Sequence, residues 1–219
     1  MTALAHPHTA ATPAAFTVYD ALDLLDWKRR IFALYEQVRV TPDPKTAWNL
    51  WRETREALYR THAQSPVPAE RRAAYGDAFF PYDPAYRVVG EIRNGTRLRG
   101  VLPASTGGTF AFTRIGRVGF TLLGEEHELE LSWNEGYGGG VLLAVSDTTS
   151  VGETYGGGRY VLDTVKGADL GVEGDWLIVD FNFAYNPSCA FDTRWSCPLA
   201  PPGNRLSLPL RVGERAPGN

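Results

Sequence analysis

Residues 87–102 read R-V-V-G-E-I-R-N-G-T-R-L-R-G-V-L, and their period is two. Val88, Gly90 and Ile92 alternate with Arg87, Val89, Glu91 and Arg93, the side-chain alternation of a strand with two unlike faces. Asn94-Gly95 is the pair that a two-residue β-hairpin prefers, so the chain is expected to turn there into a second strand over 96–102. Toward the C-terminus, alternating runs recur at 109–114, 117–123 and 126–133. In the last, Glu126, Glu128 and Glu130 share one face and His127, Leu129, Leu131 and Trp133 the other, which predicts one side in water. Residues 141–145 and 176–183 are apolar at nearly every position, as strands covered on both faces are. A last strand is expected at 205–212, with Leu206, Leu208, Leu210 and Val212 inward. Eight or nine short strands without β-α-β alternation predict a mainly β fold, an antiparallel barrel or sandwich.

Toward the N-terminus the period changes. Leu22, Leu25, Phe32 and Tyr35 fall near a 3.6-residue spacing and predict a helix over 19–38. Asp43-Pro44 supplies an N-cap and a first-turn proline for a second helix over 44–61, with Trp48, Trp51 and Leu58 on its apolar face. Both helices are expected to pack on the β structure. Residues 1–16, rich in Ala, Thr and Pro and without the pattern of a signal peptide, are expected to form a disordered tail. The organisation is thus a tail (1–16), a helical segment (17–66) and a β domain (67–215), the last two forming one unit.

Composition narrows the function classes. The chain has 219 residues, 43% of them hydrophobic, with a formal net charge of −3. That is a globular composition with no basic footprint, so no nucleic-acid partner is expected. No apolar run approaches the roughly 20 residues of a membrane span. Two cysteines fit a reducing compartment, which points to the cytoplasm with both thiols free. No cofactor is implied, and Cys189, Cys197, His62 and His127 lack metal-ligand spacing. His127 is expected to be a satisfied core histidine.

The chemistry-bearing residues concentrate in residues 180–197, D-F-N-F-A-Y-N-P-S-C-A-F-D-T-R-W-S-C. On a strand, Asp180 and Asn182 extend the face of Trp176 and Ile178, opposite the all-apolar face of Leu177, Val179, Phe181 and Phe183. A carboxylate there needs a partner, because a buried unpaired charge costs several kcal/mol. Arg159, after the glycines of Y-G-G-G-R (155–159), is the expected one. One reading makes this a pocket for a small polar molecule. Asp180 would be general base or anchor, Tyr185 proton donor or hydrogen-bond partner, and Arg159, Asn182, Asn186, Tyr155 and Asp147 would be binding groups. A second reading makes the chain a non-catalytic structural or protein-interaction module, in which the same groups only pin a long loop. A third uses Cys189 and Cys197 for thiol or metal chemistry. The glycines at 156–158 and 138–140 read as turns, since no P-loop lysine follows.

Several motifs together carry a resemblance. They are H-A-Q-S-P (62–66), F-F-P-Y-D-P-A-Y (79–86), S-D-T-T-S-V-G-E-T-Y-G-G-G-R-Y (146–160), D-F-N-F-A-Y-N-P-S-C (180–189), C-P-L-A-P-P-G-N-R-L (197–206) and the closing V-G-E-R. Over roughly residues 27–215 the chain resembles the bacterial domain-of-unknown-function family 1684. The resemblance implies the extent of the domain and no assigned activity.

Overall fold

The computed structural model describes residues 17–218; the expected tail lies outside them. Helix α1 (Val18–Val40) opens with a capping box, in which Thr17 and Asp20 satisfy each other's backbone amides. Asp43 caps α2 (Pro44–Thr61) by accepting from the Thr46 amide, with Pro44 in the first turn. The strands are β1 (Arg87–Pro103), β2 (Thr109–Leu122), β3 (Glu125–Asn134), β4 (Gly140–Val145), β5 (Arg159–Asp163), β6 (Val172–Glu173) and β7 (Trp176–Asp180). They form one antiparallel sheet in the order β5-β4-β3-β2-β1-β7-β6. The fold is therefore mainly β with N-terminal helices, but the sheet does not close into a barrel. A lone bridge between Tyr160 and Tyr185 ties β5 to the chain just beyond β7.

Among the described residues seven strands replace eight or nine: two expected pairs of strands merge and 205–212 is not a strand, while β5 and β6 were not expected. First, Asn94-Gly95 is not a hairpin turn. A type I′ turn requires positive φ at both central residues, and neither Asn94 nor Gly95 has it. The pair sits in a bulge where β1 shifts register against β2 between Asn94 and Leu98, so the two expected strands are one. Residues 109–122 likewise run as one strand, β2, through an irregularity between Arg114 and Gly116. The tight turn falls instead at Leu123-Gly124, with φ of 51° and 86°, between the paired Leu122 and Glu125. Second, residues 205–212 form no strand: Arg205 makes only an isolated bridge to Ser146, and further along the backbone of Leu210 and Val212 is taken by side chains. The Leu210 amide donates to Asp147 at 3.1 Å, and Arg159 donates to the carbonyls of Leu210 and Val212.

Two cores lie on opposite faces. Trp48, Trp51 and Leu58 of α2 and Ile31, Leu34, Tyr35 and Val38 of α1 pack with Phe112, Leu142, Ala144 and Tyr160. Leu143, Val145, Val118, Leu129, Val179 and Phe181 pack with Leu206, Leu210 and Val212. Neighbours on β4 thus belong to different cores, as its continuous apolar sequence predicts. On α1 the buried stripe lies further along than expected, since Leu22, Leu25 and Phe32 are exposed. On β3 the expected inward face runs out at Trp133, which is exposed, while Ser132 is buried.

Candidate functional site

The segment 180–197 leaves the sheet at the end of β7 through two short 3₁₀ turns, Phe181–Phe183 and Ser188–Ala190. Its polar residues do not converge on one point. The expected site residues divide among four surroundings, of which two are hydrogen-bond networks that each leave one buried atom, Arg159 Nε and Asn186 Oδ1, without a partner among the described residues.

The first network replaces the expected Arg159–Asp180 pair. Arg159, fully buried, pairs with Asp147 at 3.2 Å. It also donates to the Glu214 carbonyl at 3.0 Å. Burial pulls Arg159 below the ordinary guanidinium range, against the opposing attraction of Asp147. Asp147 is in turn held by the Thr149 amide at 2.8 Å. The pair is joined by local geometry that sequence spacing does not reveal: β4 and β5 are neighbours, and both groups point into the C-terminal segment.

The second network is centred on Glu214, which sequence reasoning missed. Its carboxylate accepts from Arg55 of α2 and, at 2.6 Å, from the Asn186 amide. Asn186 donates its side-chain amide to the Arg215 carbonyl at 2.7 Å. Arg55 also lies 4.4 Å from the ring centroid of Tyr185. A signal existed in the sequence, because Arg55 stands on the Trp48, Trp51, Leu58 stripe at helical spacing, where a charge needs a buried partner. Tyr185 donates its hydroxyl to Asp163 at 3.0 Å, and burial raises its pKa well above the tyrosine range. It lines a cavity of about 40 Å³ with Arg55, Tyr35, Lys166 and Asn186, separate from Asp180. The expected pairing of Tyr185 with Asp180 in one pocket is therefore not what the fold builds.

The third surrounding is open. Asp180 is buried, and its Oδ1 accepts from the Asn182 backbone amide at 2.9 Å and side-chain amide at 2.8 Å. Asn182 is itself fixed by the Asp83 backbone, accepting at 2.9 Å and donating at 2.8 Å. Oδ2 of Asp180 has no hydrogen-bond partner among the described residues. Asp180 is one of the residues lining a hollow of about 80 Å³ between the α1–α2 link and β7, with Val38, Arg39, Pro42, Ala47, Arg87 and Phe183 among others. Strand register places Arg87 directly across from Asp180, yet Arg87 hydrogen-bonds Glu173 at 3.2 Å instead. Arg39 uses Nη1 on the Asp169 carbonyl at 2.9 Å. Burial pushes the Asp180 carboxyl up to about 6, against the lowering effect of the Asn182 donors and Arg87.

The fourth surrounding holds the thiols, both buried and unbridged. Tyr155 lies here, its hydroxyl 3.5 Å from Cys189 Sγ. The histidines stand apart from this pair. His62 contacts Asp26 at 3.1 Å and accepts from the Gln64 amide at 3.0 Å. His127 is half-buried and its buried Nε2 lacks a partner among the described residues, unlike the satisfied core histidine expected. No group of three or more His, Cys, Asp or Glu side chains among the described residues is arranged to hold a metal. The glycines behave as expected: Gly156–Gly158 closes with the Gly158 amide on the Tyr155 carbonyl, and Gly138-Gly139 turns β3 into β4.

A family model described as "Protein of unknown function (DUF1684)" matches residues 75–215. The chain belongs to the DUF1684 family. The solution NMR structure of an uncharacterized protein from Haloarcula marismortui is similar to this DUF1684 chain, with 29% sequence identity and a TM-score of 0.56. The likeness covers 78% of this chain and 92% of that one. No curated protein matches. All four surroundings draw residues from the DUF1684 segment, while Arg39, Arg55, Val38 and Ala47 reach them from the helices before it. Among the described residues no helix is long and apolar enough to cross a membrane.

Proposed function

We propose that this DUF1684 chain binds a small polar molecule at Asp180. One observation carries the reading: Asp180, whose buried Oδ2 has no partner among the described residues, is one of the residues that line an open hollow. Such an atom is costly unless something donates to it. The size of the hollow limits the occupant. About 80 Å³ holds two or three waters, well short of the roughly 300 Å³ of a pocket that encloses a whole drug-sized ligand. It therefore takes a head group, an amine or a hydroxyl, that donates to Oδ2. Arg39 and Arg87 stand at the same hollow with guanidinium donors beyond those already engaged, and they suit an anionic group on the same molecule. A small amino acid or hydroxy acid has both parts. A carboxyl that titrates near 6 is also poised to accept a proton from a bound hydroxyl or ammonium, so a general-base role is compatible with the same placement.

For Asp147, Arg159, Tyr185 and Asn186 the scaffold reading is favoured. Asp147 and Arg159 hold the C-terminal segment, Asn186 is tied to Glu214 and Arg215, and Tyr185 is spent on Asp163. A thermal-shift panel of small amino and hydroxy acids tests the proposal at neutral pH. At least one should raise the Tm of the wild type, leave Asp180→Asn unmoved, and shift Arg87→Gln less. A panel without effect, or one that shifts Asp180→Asn equally, refutes it.

A further inference from the structure

Helix α1 is apolar on two sides, and only one of them is covered. Ile31, Leu34, Tyr35 and Val38 face the core, whereas Val18, Leu22, Leu25, Phe32 and Val40 are 67%, 55%, 42%, 49% and 74% exposed. At 3.6 residues per turn the exposed side chains fall on the side of the helix opposite the buried four. The outer stripe runs Val18, Leu22, Leu25, Arg29, Phe32 and Glu36, at alternating steps of four and three, which is the seam spacing of a coiled coil. A helix with apolar residues all round is ordinarily buried all round. Phe32 leans on Gly167, where a Cβ would lie 2.9 Å from its ring, and still leaves about half its surface open. Arg29 and Glu36 are the two charges on the stripe, and the side chain of neither has an ion pair or hydrogen bond among the described residues. Elsewhere on the helix Arg30 and Arg39 do have carboxylates, Asp26 at 2.7 Å and Asp169 at 4.0 Å.

We propose that the outer face of α1 is a homodimer interface, in which α1 packs antiparallel on α1 of a second copy about a two-fold axis beside Phe32. The charges select both the partner and the direction. Arg29 stands three residues before Phe32 and Glu36 four after it, so within one helix they are about 10 Å apart along the axis and do not meet. A two-fold axis beside Phe32 reverses the second helix and sets each Arg29 against the partner's Glu36. The same register brings Leu25 to the partner's Val40 and both Phe32 rings to the axis. A parallel pair would instead set Arg29 on Arg29 and Glu36 on Glu36. The wider charge pattern agrees. Residues 18–27 carry Asp20, Asp23 and Asp26 and no basic side chain, and residues 28–40 carry Lys28, Arg29, Arg30 and Arg39 against Glu36 alone. Antiparallel helices therefore lay the acidic start of one along the basic end of the other. One patch that is complementary to itself is what a two-fold dimer requires. Because the covered side of α1 is opposite, the two bodies lie on opposite sides of the helix pair. A single helix pair buries less than a standard interface, so the dimer should be weak and concentration dependent.

Sedimentation equilibrium of the full chain from micromolar to millimolar concentration tests this, at low salt, where the contacts between Arg29 and Glu36 are least screened. The expected result is a reversible monomer–dimer equilibrium. Arg29→Glu and Glu36→Arg should each raise the dissociation constant about tenfold or more, since either change sets like charges together twice in a two-fold dimer. Both changes in one chain exchange the charges and should restore dimerisation, which damage to the fold would not do. Leu25→Glu should give monomers with the circular dichroism of the wild type. A chain that stays monomeric at millimolar concentration, including one that co-sediments with phosphatidylglycerol vesicles instead, overturns the proposal. So does a dimer that both single charge variants leave intact.

Discussion

Asp180 couples the stability of the fold to pH. Its carboxyl holds a proton more tightly in the folded chain, up to about 6, than in the unfolded one, where the ordinary value is 3.8. A raised acid favours folding while protonated. That contribution is fully present below the unfolded value and is lost as pH rises through about 6. The loss is on the order of 3 kcal/mol for a group this buried. Asp180→Asn removes the titration, so between about pH 4 and pH 7 the wild type should lose stability relative to the variant by that order. Denaturant melts at the two pH values measure it, and parallel behaviour of the two proteins would contradict the burial argument. At this scale the sequence was informative about kinds of residue and silent about pairs. That Asp180 ends a half-buried strand face was legible from the alternation Trp176, Ile178, Asp180. Its neighbour was not, because Arg87 comes opposite only through the register of β1 on β7, from far away in the chain.

Elements were legible where a local rule decides them and illegible where a distant side chain does. Asp43-Pro44 fixes the start of α2 by capping alone, and that helix has the expected span. The Asn94-Gly95 signal failed because turn chemistry is permissive: a residue pair able to adopt positive φ is not obliged to, and here Asn94 pairs with Gly116 while Gly95 falls in the bulge that follows. Residues 205–212 alternate like a strand, yet at Leu210 and Val212 it is Asp147 and Arg159 that supply hydrogen bonds a neighbouring ladder would have made. The same logic identifies a backbone position that accepts no side chain. Gly213 has φ of 74°, and a Cβ there would lie 2.4 Å from the Ala184 carbonyl oxygen and 3.0 Å from that of Phe181. Gly213→Ala should cost upwards of about 2 kcal/mol, from left-handed strain and a clash with backbone that cannot yield. Chemical denaturation should show it as a lower midpoint with an unchanged slope. A variant as stable as the wild type would mean that the junction after Val212 is looser than its geometry requires.

For the molecule as a whole, the sheet has two faces to cover and uses different material on each, the helices on one and the C-terminal segment on the other. The buried charges sit where these covers meet the sheet: Arg55 with Glu214, and Arg159 with Asp147. Such pairs are expensive to break and add little over a good apolar core, so they fix which cover lies where more than they stabilise it. A mainly β class with two packed helices was legible from periodicity. An open sheet was not, since strand count and closure depend on the bulges. The Asp180 hollow exists only because the α1–α2 link is laid over the end of β7, so the state of that carboxyl reports both the assembly and the proposed site. The most direct measurement is an NMR titration of the Asp180 side-chain carboxyl carbon in the folded protein, alone and with a ligand found by thermal shift. The account predicts a midpoint near 6 in the free protein, moving lower when a donor occupies the hollow. A midpoint at the ordinary 3.8, unmoved by ligand, would contradict both the burial of Asp180 and its role in binding.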